Sequence, residues 1–336
     1  MTAIIVAAFL IAFGTTSTAS AQDFYKGKTV RVIVGHNVGN DYDVGARLLT
    51  KYLPKHIPGH PAIVVQNMPQ GAGIASANFL QGPAPRDGLV MGSFTRNYPN
   101  QAIMRQANVE GDPRQLNWLG ATSFPSRVCI VSSTAKVKTA SDLFKHELIV
   151  GGGPGVSSSN SIMPTVFNRV LGTRFRVITG YKGAQDAVLA IERGELEGVC
   201  ASSAQFRPYK QQFSEGKVRV ILHAEESSMP DLPGIPSIYD FVQTAEQRQF
   251  LRFVFLSAEF GRPYAFPPGV PQDRVQLMRR AIAETLKDPD LVAEAAKMGL
   301  DMSFRSADHL EKVVADLYET PPALIERVKE LVPDIR

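Results

Sequence analysis

Thr29–Leu49, TVRVIVGHNVGNDYDVGARLL, is the stretch that decides the fold. Val30, Val32 and Val34 supply a β-branched strand, and Gly35 to Asn40 read as a loop. Gly45, Leu48, Leu49 and Tyr52 then carry a helical period as far as Pro54. Asp41 or Asp43 can accept from the open N–H groups of the first helical turn. A strand–loop–helix of this kind aims backbone donors at a crevice, where ligands sit in open α/β sheets. The loop, with Asn37, Gly39, Asn40, Asp41, Tyr42 and Asp43, is therefore expected to be one wall of a binding cleft for a small solute.

Outward from this stretch the pattern repeats. Ala62–Gln66 is a strand, and Met68–Gly73 a loop leading to a short helix that ends near Leu80. Leu89–Thr95 is a third strand, ending in Ser93-Phe94-Thr95. Such alternation argues a mostly parallel sheet covered by helices. A register change at Trp118-Leu119-Gly120 precedes a second unit that opens with the strand Val128–Ser132. Leu148–Gly151 runs into a Gly/Ser loop through Asn160, and a helix follows to Leu171. Arg174–Thr179 is a strand, Tyr181-Lys182-Gly183 a loop, and Ala184–Arg193 a helix stopped by Gly194. Glu197–Ala201 ends at Ser202-Ser203, and Val218–Leu222 is another strand. A helix is expected around Tyr239–Gln247. The apolar run Leu251–Leu256 can return the chain to the first lobe, and Gln272–Lys287 opens a helical C-terminal segment.

Composition narrows the function classes. The 336 residues are 44% hydrophobic and 20% charged, enough for two lobes with their own cores. The net charge of +4 arises from 36 basic and 32 acidic side chains spread along the chain. No basic run or aromatic–basic interleaving points to nucleic acid. Residues 1–21 carry no charged side chain; Ile4–Phe13 suits a signal h-region, and Ala19-Ser20-Ala21 a cleavage site. The stretch Met1-Thr2-Ala3 lacks the usual basic residue. Cleavage near Ala21 would start the mature chain at Gln22, in an exported compartment. Cys129 and Cys200, the two cysteines, each lie at a strand end. Adjacent strands could bring them together as a disulfide, and two buried free thiols are the alternative.

Four loops share one chemistry: Gly35–Asp43, Met68–Gly73, Gly151–Asn160 and Tyr181–Gly183. Each joins a strand end to a helix start with residues that let backbone approach a ligand. Ordinary turn chemistry uses the same residues, so the argument rests on four such loops at corresponding places in two lobes. None is a nucleotide motif: Gly151-Gly152-Gly153-Pro154-Gly155 lacks the Gly-Lys-Ser/Thr ending. Ser133-Thr134-Ala135-Lys136 fits S-x-x-K without the partner motifs of penicillin-recognising acylases. The six histidines show no metal spacing. Asn37, Asn40, Asp41 and Asp43 lack the twelve-residue calcium-loop pattern. No metal or cofactor is expected.

Asp43-Val44-Gly45-Ala46-Arg47 and Val65-Gln66-Asn67-Met68-Pro69-Gln70-Gly71-Ala72-Gly73 resemble the first and second loops of the tripartite tricarboxylate transporter substrate-binding receptors, the Bug family. Pro85-Arg86-Asp87-Gly88, Gly180-Tyr181-Lys182-Gly183-Ala184 and Arg193-Gly194-Glu195-Leu196-Glu197 match further signposts. So do Pro230-Asp231-Leu232-Pro233, Pro267-Pro268-Gly269-Val270-Pro271 and Lys287-Asp288-Pro289. Together they cover Asp23–Leu331 in order.

The resemblance implies a type II periplasmic-binding-protein fold: two doubly wound α/β lobes, joined by two crossing strands, that close on a ligand. Lobe 1 would be residues 22–122 with 254–336, and lobe 2 residues 123–253, after a signal peptide at 1–21. It implies a periplasmic receptor, monomeric and without turnover, that passes a small organic acid to a membrane permease. Its ligand contacts would be Asp43 with Gly71, Ala72 and Gly73 in the first lobe. Those in the second would be Ser157, Ser158, Ser159, Asn160, Tyr181, Gly183 and Ala184. Phe94, Thr95 and Ser202, at strand ends, are further candidates read from the residues rather than from the resemblance. Arg96, Tyr98 and Phe124 could add aromatic and cationic contacts.

Two departures bear on the ligand. Where the family reads Pro-Gly-Gly-Gly-Thr-Asp, this chain has Val38-Gly39-Asn40-Asp41-Tyr42-Asp43. A second carboxylate ~4 Å from a ligand carboxylate would repel it by about 4 kcal/mol at an effective dielectric near 20. Asp41 therefore either points away as the helix cap or signals a ligand other than a simple dicarboxylate in the usual pose. In the second lobe, Cys200-Ala201 stands where the family has Phe-Asp, so the pocket floor is less acidic and an aromatic or hydroxylated acid becomes plausible. Two other classes share this fold reading: a secreted hydrolase using a hydroxyl of Ser157–Ser159, and a ligand sensor for a membrane kinase.

Overall fold

The computed structural model describes residues 24–331 except 125, 157, 227, 228, 230 and 231. The expected signal peptide and Ser157 therefore lie outside the described residues.

In chain order, the first unit runs β1 (Thr29–Val34), α1 (Asp41–Tyr52), β2 (Ala62–Asn67), α2 (Ile74–Gln81), β3 (Val90–Ser93), α3 (Tyr98–Ile103) and β4 (Asn117–Thr122). The second runs β5 (Arg127–Ser132), β6 (Leu148–Gly151), α4 (Ser159–Leu171), β7 (Phe175–Ile178), α5 (Ala184–Glu192), β8 (Gly198–Ser202), α6 (Lys210–Ser214) and β9 (Val218–His223). The chain returns through α7 (Ala245–Phe255) to β10 (Arg262–Phe266), then α8 (Gln272–Thr285), α9 (Pro289–Met298), β11 (Phe304–Arg305), α10 (Ala307–Tyr318) and α11 (Pro322–Leu331).

The sheets share one plan. The first has the order β11-β4-β10-β3-β1-β2 and the second β7-β6-β8-β5-β9. In each, three parallel strands are followed by one antiparallel strand that arrives from the other unit: β10 beside β3, and β5 beside β8. The parallel strands thus point their C-terminal ends, and the loops that follow them, toward the crossing. Alternation along β1 covers both faces of the first sheet. Val30, Val32 and Val34 pack under α1 and α8, while Ile33 faces α2 and Trp118.

The return to the first lobe differs from the expected course. Leu251–Leu256 is not a separate crossing run but the end of α7 and the start of a 3-10 turn, Leu256–Phe260. The helix begins at a capping box: Thr244 Oγ1 accepts from Gln247 N (3.1 Å), and Gln247 Oε1 accepts from Thr244 N (3.2 Å). Once started there, it buries Phe250, Leu251, Phe253, Val254 and Phe255 along its length.

This helix is bound to both lobes. Gln247 Nε2 donates to the Val170 carbonyl of α4 (2.8 Å), and Asn100 Nδ2 of α3 donates to the Phe253 carbonyl (2.8 Å). Phe255 packs on Phe167 (5.6 Å between rings), and Phe260 packs on Trp118 (5.3 Å). The boundary expected between 253 and 254 therefore falls inside a helix shared by the two lobes. β10 was hidden in the sequence by Pro263, whose missing N–H argues against an interior strand. The ladder is held by the residues around it, with a bulge between Tyr264 and Ala265.

Cys129 and Cys200 face each other directly on antiparallel β5 and β8, with Cα atoms 4.0 Å apart, and are bonded as a buried disulfide. The bond closes a loop across 71 residues of sequence. A loop of that length corresponds to about 4 kcal/mol of lost unfolded-state freedom. Replacing both cysteines by alanine should lower unfolding free energy in urea by up to that amount. Equal midpoints for the variant and the oxidised parent would show that the bridge does not stabilise the second lobe.

Candidate functional site

The first loop is tied down before any ligand is considered. Gly35 N donates to the Ser93 carbonyl (2.8 Å), and a β-carbon on Gly35 would lie 2.4 Å from Ser76 Oγ. Asn40, rather than either aspartate, caps α1: its Oδ1 accepts from Tyr42 N (3.0 Å). Asp43, placed by the sequence at the ligand, is 1% exposed and fully engaged inside the loop. Its carboxylate accepts from Gly39 N (2.9 Å), Asn67 Nδ2 (2.8 Å) and Arg47 Nε (3.0 Å). Asn67 Nδ2 also reaches the His36 carbonyl (2.9 Å), so one amide pins the loop to the end of β2. Burial alone would raise the Asp43 carboxyl; the bonds from Arg47, Gly39 and Asn67 outweigh it and hold the pKa below the ordinary value. Asp43 is a structural knot: its buried carboxylate is committed to Gly39, Asn67 and Arg47 of its own lobe.

Asn37, Gly39, Asn40 and Asp41 form the exposed rim of this loop, and Tyr42 is buried behind them. The Tyr42 hydroxyl donates to the Gly261 carbonyl (3.2 Å) and accepts from Arg96 N (3.4 Å), linking the loop to the crossing and to the end of β3. His36 stacks on the Tyr42 ring at 3.8 Å and 13°. Its Nδ1 is buried without a partner. Burial, with Arg96 adding to it and Asp41 opposing, holds His36 below its ordinary pKa, so the ring is neutral near pH 7.

The second loop is a run of left-handed backbone: Gly71 (φ 60°), Ala72 (φ 54°) and Gly73 (φ 94°). Ala72 bears a side chain there, a conformation that costs on the order of 1–2 kcal/mol. Strain of this sort persists only where neighbours enforce it. Gly73 supplies the enforcement, since a β-carbon would meet the Gly35 carbonyl at 2.8 Å and Thr95 N at 3.2 Å. Three loop ends, at Gly35, Gly73 and Thr95, thus pack into one wall with Gly71 and Ala72 exposed on it.

In the second lobe, Ser158 is the N-cap of α4 by position but its side chain does not cap. Its hydroxyl donates to the Gly155 carbonyl (2.8 Å) and pairs with Ser161 Oγ (2.9 Å). Among the described residues, no side chain therefore caps the first-turn N–H groups of α4. Ser159 is exposed and Asn160 buried. Gly183 leads into α5 in extended geometry, Ala184 N donates to Gln205 Oε1 (3.4 Å), and Tyr181 packs against the second-lobe core. Ser202 ends β8 opposite Arg127, the first residue of β5.

Sequence reasoning missed Arg127; the β5–β8 register is the signal that would have placed it beside Ser202. Its Nη1 donates to the Phe255 carbonyl at the end of α7 (3.2 Å), and its guanidinium lies over the Phe255 ring (5.4 Å). Burial, reinforced by the charge of Arg96, pulls its pKa down to about 10, so it is positive at neutral pH. Arg305, over the Phe124 ring at 4.3 Å, pairs with Glu259.

Two expected aromatic contacts are corrected. Phe94 and Tyr98 are fully buried: Phe94 packs on Tyr98 (5.6 Å) and Trp118 (5.7 Å), and the Tyr98 hydroxyl donates to the Glu110 carbonyl (2.9 Å). Both rings serve the core, where they pack in one apolar cluster with Trp118. Thr95 is also buried, against Gly73. Among the described residues, no three metal-ligating side chains cluster. A groove of about 510 Å³, lined by Glu226, Arg252, Phe255, Glu259, His309 and Lys312 among others, includes none of the four loops.

Comparison with known proteins places this geometry. The family model of the tripartite tricarboxylate transporter family receptor, TctC, matches residues 46–329. A TctC solute-binding protein from Polaromonas, without ligand, superposes with a TM-score of 0.70 at 18% identity, over 92% of this chain and 99% of that one. MatC from Rhodopseudomonas palustris with bound malate gives a TM-score of 0.54 at 18% identity, over 91% and 99%. A second R. palustris protein, with adipate, gives 0.55 at 17% identity, over 92% and 97%. No curated protein matches the sequence. At these identities the structures speak for the fold.

The Asp43 knot makes a pH-dependent prediction. Its folded pKa is depressed, so its contribution is complete above the unfolded value of about 3.9 and is lost as pH falls through the folded value. Asp43→Asn should lower unfolding free energy by about 1–3 kcal/mol near neutral pH. The gap to the parent should close below about pH 4. A gap that persists or widens in acid, measured by urea titration at each pH, would mean the carboxylate is not held this way.

Proposed function

The chain belongs to the tripartite tricarboxylate transporter receptor family, and from that premise we propose that it captures a small carboxylate-bearing solute between its lobes and delivers it to a membrane permease. It is a solute-binding receptor; its solute class, its closing motion and its permease are our reading. The observation that carries the reading is the charge at the crossing. Arg96 follows β3 of the first lobe and Arg127 opens β5 of the second, and among the described residues neither side chain is in an ion pair. Arg305 is paired with Glu259 and Arg262 with Asp41, so among the described residues Arg96 and Arg127 are the unpaired guanidiniums at the crossing, with Glu225 as the carboxylate that acts on Arg127. An anion held there would be drawn by charge and oriented by backbone N–H groups at helix starts.

Closure is supported by how the two crossings touch. Gly261 has φ 48°, and a β-carbon on it would lie 2.4 Å from the Ser123 carbonyl and 2.6 Å from that of Thr122. Ser123 itself has φ 66°. The chain thus passes between lobes through two adjacent, side-chain-poor points, where small backbone rotations become lobe motion. The solutes bound by the R. palustris relatives, malate and adipate, make dicarboxylates the first probes. The family is periplasmic, and we extend that location to this chain through the signal-like residues 1–21.

A thermal-shift screen of residues 22–336 against mono-, di- and tricarboxylates, aromatic acids and neutral polar solutes tests the reading. At least one acid should raise the melting temperature, by mass action on the folded state. Arg96→Gln should weaken that acid about tenfold, with a smaller loss at high salt. A neutral solute as the sole stabiliser, or unchanged affinity in Arg96→Gln, would overturn it.

A further inference from the structure

Asp41 is the carboxylate this loop has gained, and it does not cap the helix it begins. Its side chain is 61% exposed, on the rim that a solute would face. Opposite it is Arg262, the first residue of β10, whose side chain is only 6% exposed. The Arg262 guanidinium is anchored from behind: Nη2 donates to the Asp301 carbonyl (3.3 Å), and Nη1 contacts Met302 Sδ (3.9 Å). Its Nε is buried with no hydrogen-bond partner and lies 3.6 Å from Asp41 Oδ2. Among the described residues, Asp41 is the carboxylate with which Arg262 pairs. The seat for this guanidinium is a notch on α1 made by Gly45, where a β-carbon would come within 2.3 Å of Nη1.

We propose that Arg262 is a positioning residue for the first loop: seated in the Gly45 notch, it cancels the charge of Asp41 and draws that carboxylate toward β10, so that the loop can accept an anionic solute. The inference rests on the carboxylate-receptor reading above. Burying a guanidinium is unfavourable without a counter-charge, so Arg262 holds Asp41 as firmly as Asp41 holds Arg262. The adjoining contact reinforces the arrangement, since the Tyr42 hydroxyl binds the carbonyl of Gly261 (3.2 Å). Two neighbouring loop residues are thus fastened to two neighbouring residues of the returning strand. Asp41, Gly45 and Arg262 act as one set: the acid, its counter-charge and the space the counter-charge occupies.

The test uses calorimetric affinities for succinate, malate, adipate and citrate, at low and high salt, on the mature protein. Arg262→Met keeps the buried volume and exposes the Asp41 charge; carboxylate affinity should fall at least about tenfold at low salt, with part of the loss recovered at high salt. Adding Asp41→Asn to Arg262→Met should restore affinity to within about threefold of the parent, as pairwise coupling requires. Gly45→Ala should reproduce the Arg262→Met loss by displacing the guanidinium. Should Arg262→Met fail to fold, Asp41→Asn alone decides: the proposal requires affinity to be raised, whereas a direct ligand contact by Asp41 would lower it. Unchanged affinity in Arg262→Met, or no rescue in the double variant, overturns the proposal while leaving the receptor reading intact. If none of the four acids binds the parent, the same variants are measured with whichever acid stabilises it in the thermal-shift screen; if no acid does, the carboxylate reading falls, and this inference with it.

Discussion

Each sheet of this protein is completed by a strand that the other lobe sends back. β10 reaches its place between β3 and β4 only after the chain has run through the whole second lobe, and β5 joins β8 after the chain has left the first. Everything at the site follows from that constraint. Because β10 and β5 are antiparallel to the strands they join, their first residues stand beside the C-terminal ends of β3 and β8. Arg262 and Arg127 therefore arrive at the loop ends by register. Such long-range pairing is also costly in loop-closure entropy, and the shared helix α7 offsets some of it by giving both lobes one apolar surface to pack on.

Local patterning carried the parallel strands well. β1 has the bounds its β-branched run implies, and the loop–helix units after β1, β2, β6 and β7 stand where glycine and helical period put them. Three features depend on distant partners and were not legible. β10 contains Pro263, so its strand character comes from the neighbours β3 and β4 rather than from its own residues. The run Leu251–Leu256 is apolar in either geometry, and the capping box that opens at Thr244, seven residues before Leu251, decides for helix. Phe94 reads as a strand-end residue, but Trp118, twenty-four positions later, supplies the surface that buries it.

The candidate loops were legible as elements, and the bonding inside them was not. The family resemblance located the loops, while the carboxylate it singled out, Asp43, is internal. A residue can be indispensable to a binding loop without touching the ligand, because an unanchored Gly/Asn loop would lose its shape to conformational entropy. Asn40 in turn takes the capping role that either aspartate could have filled, its amide oxygen closing on Tyr42 N at 3.0 Å. That frees Asp43 for the knot and leaves Asp41 at the rim.

The departures of the first loop from the family pattern are physically coupled rather than independent. Asn40 in place of glycine supplies a cap, which fixes where α1 begins. Tyr42 two positions later supplies a hydroxyl that ties the helix start to Gly261, and a ring face for His36. Asp41 between them adds a charge, and Gly45 one turn later gives up a side chain to the guanidinium facing that charge. Removing any one of these would leave a buried or repelling group without its complement. A loop rich in glycine is free to take many shapes; this one is fastened at the start of β10, through Tyr42 to Gly261 and through Asp41 to Arg262.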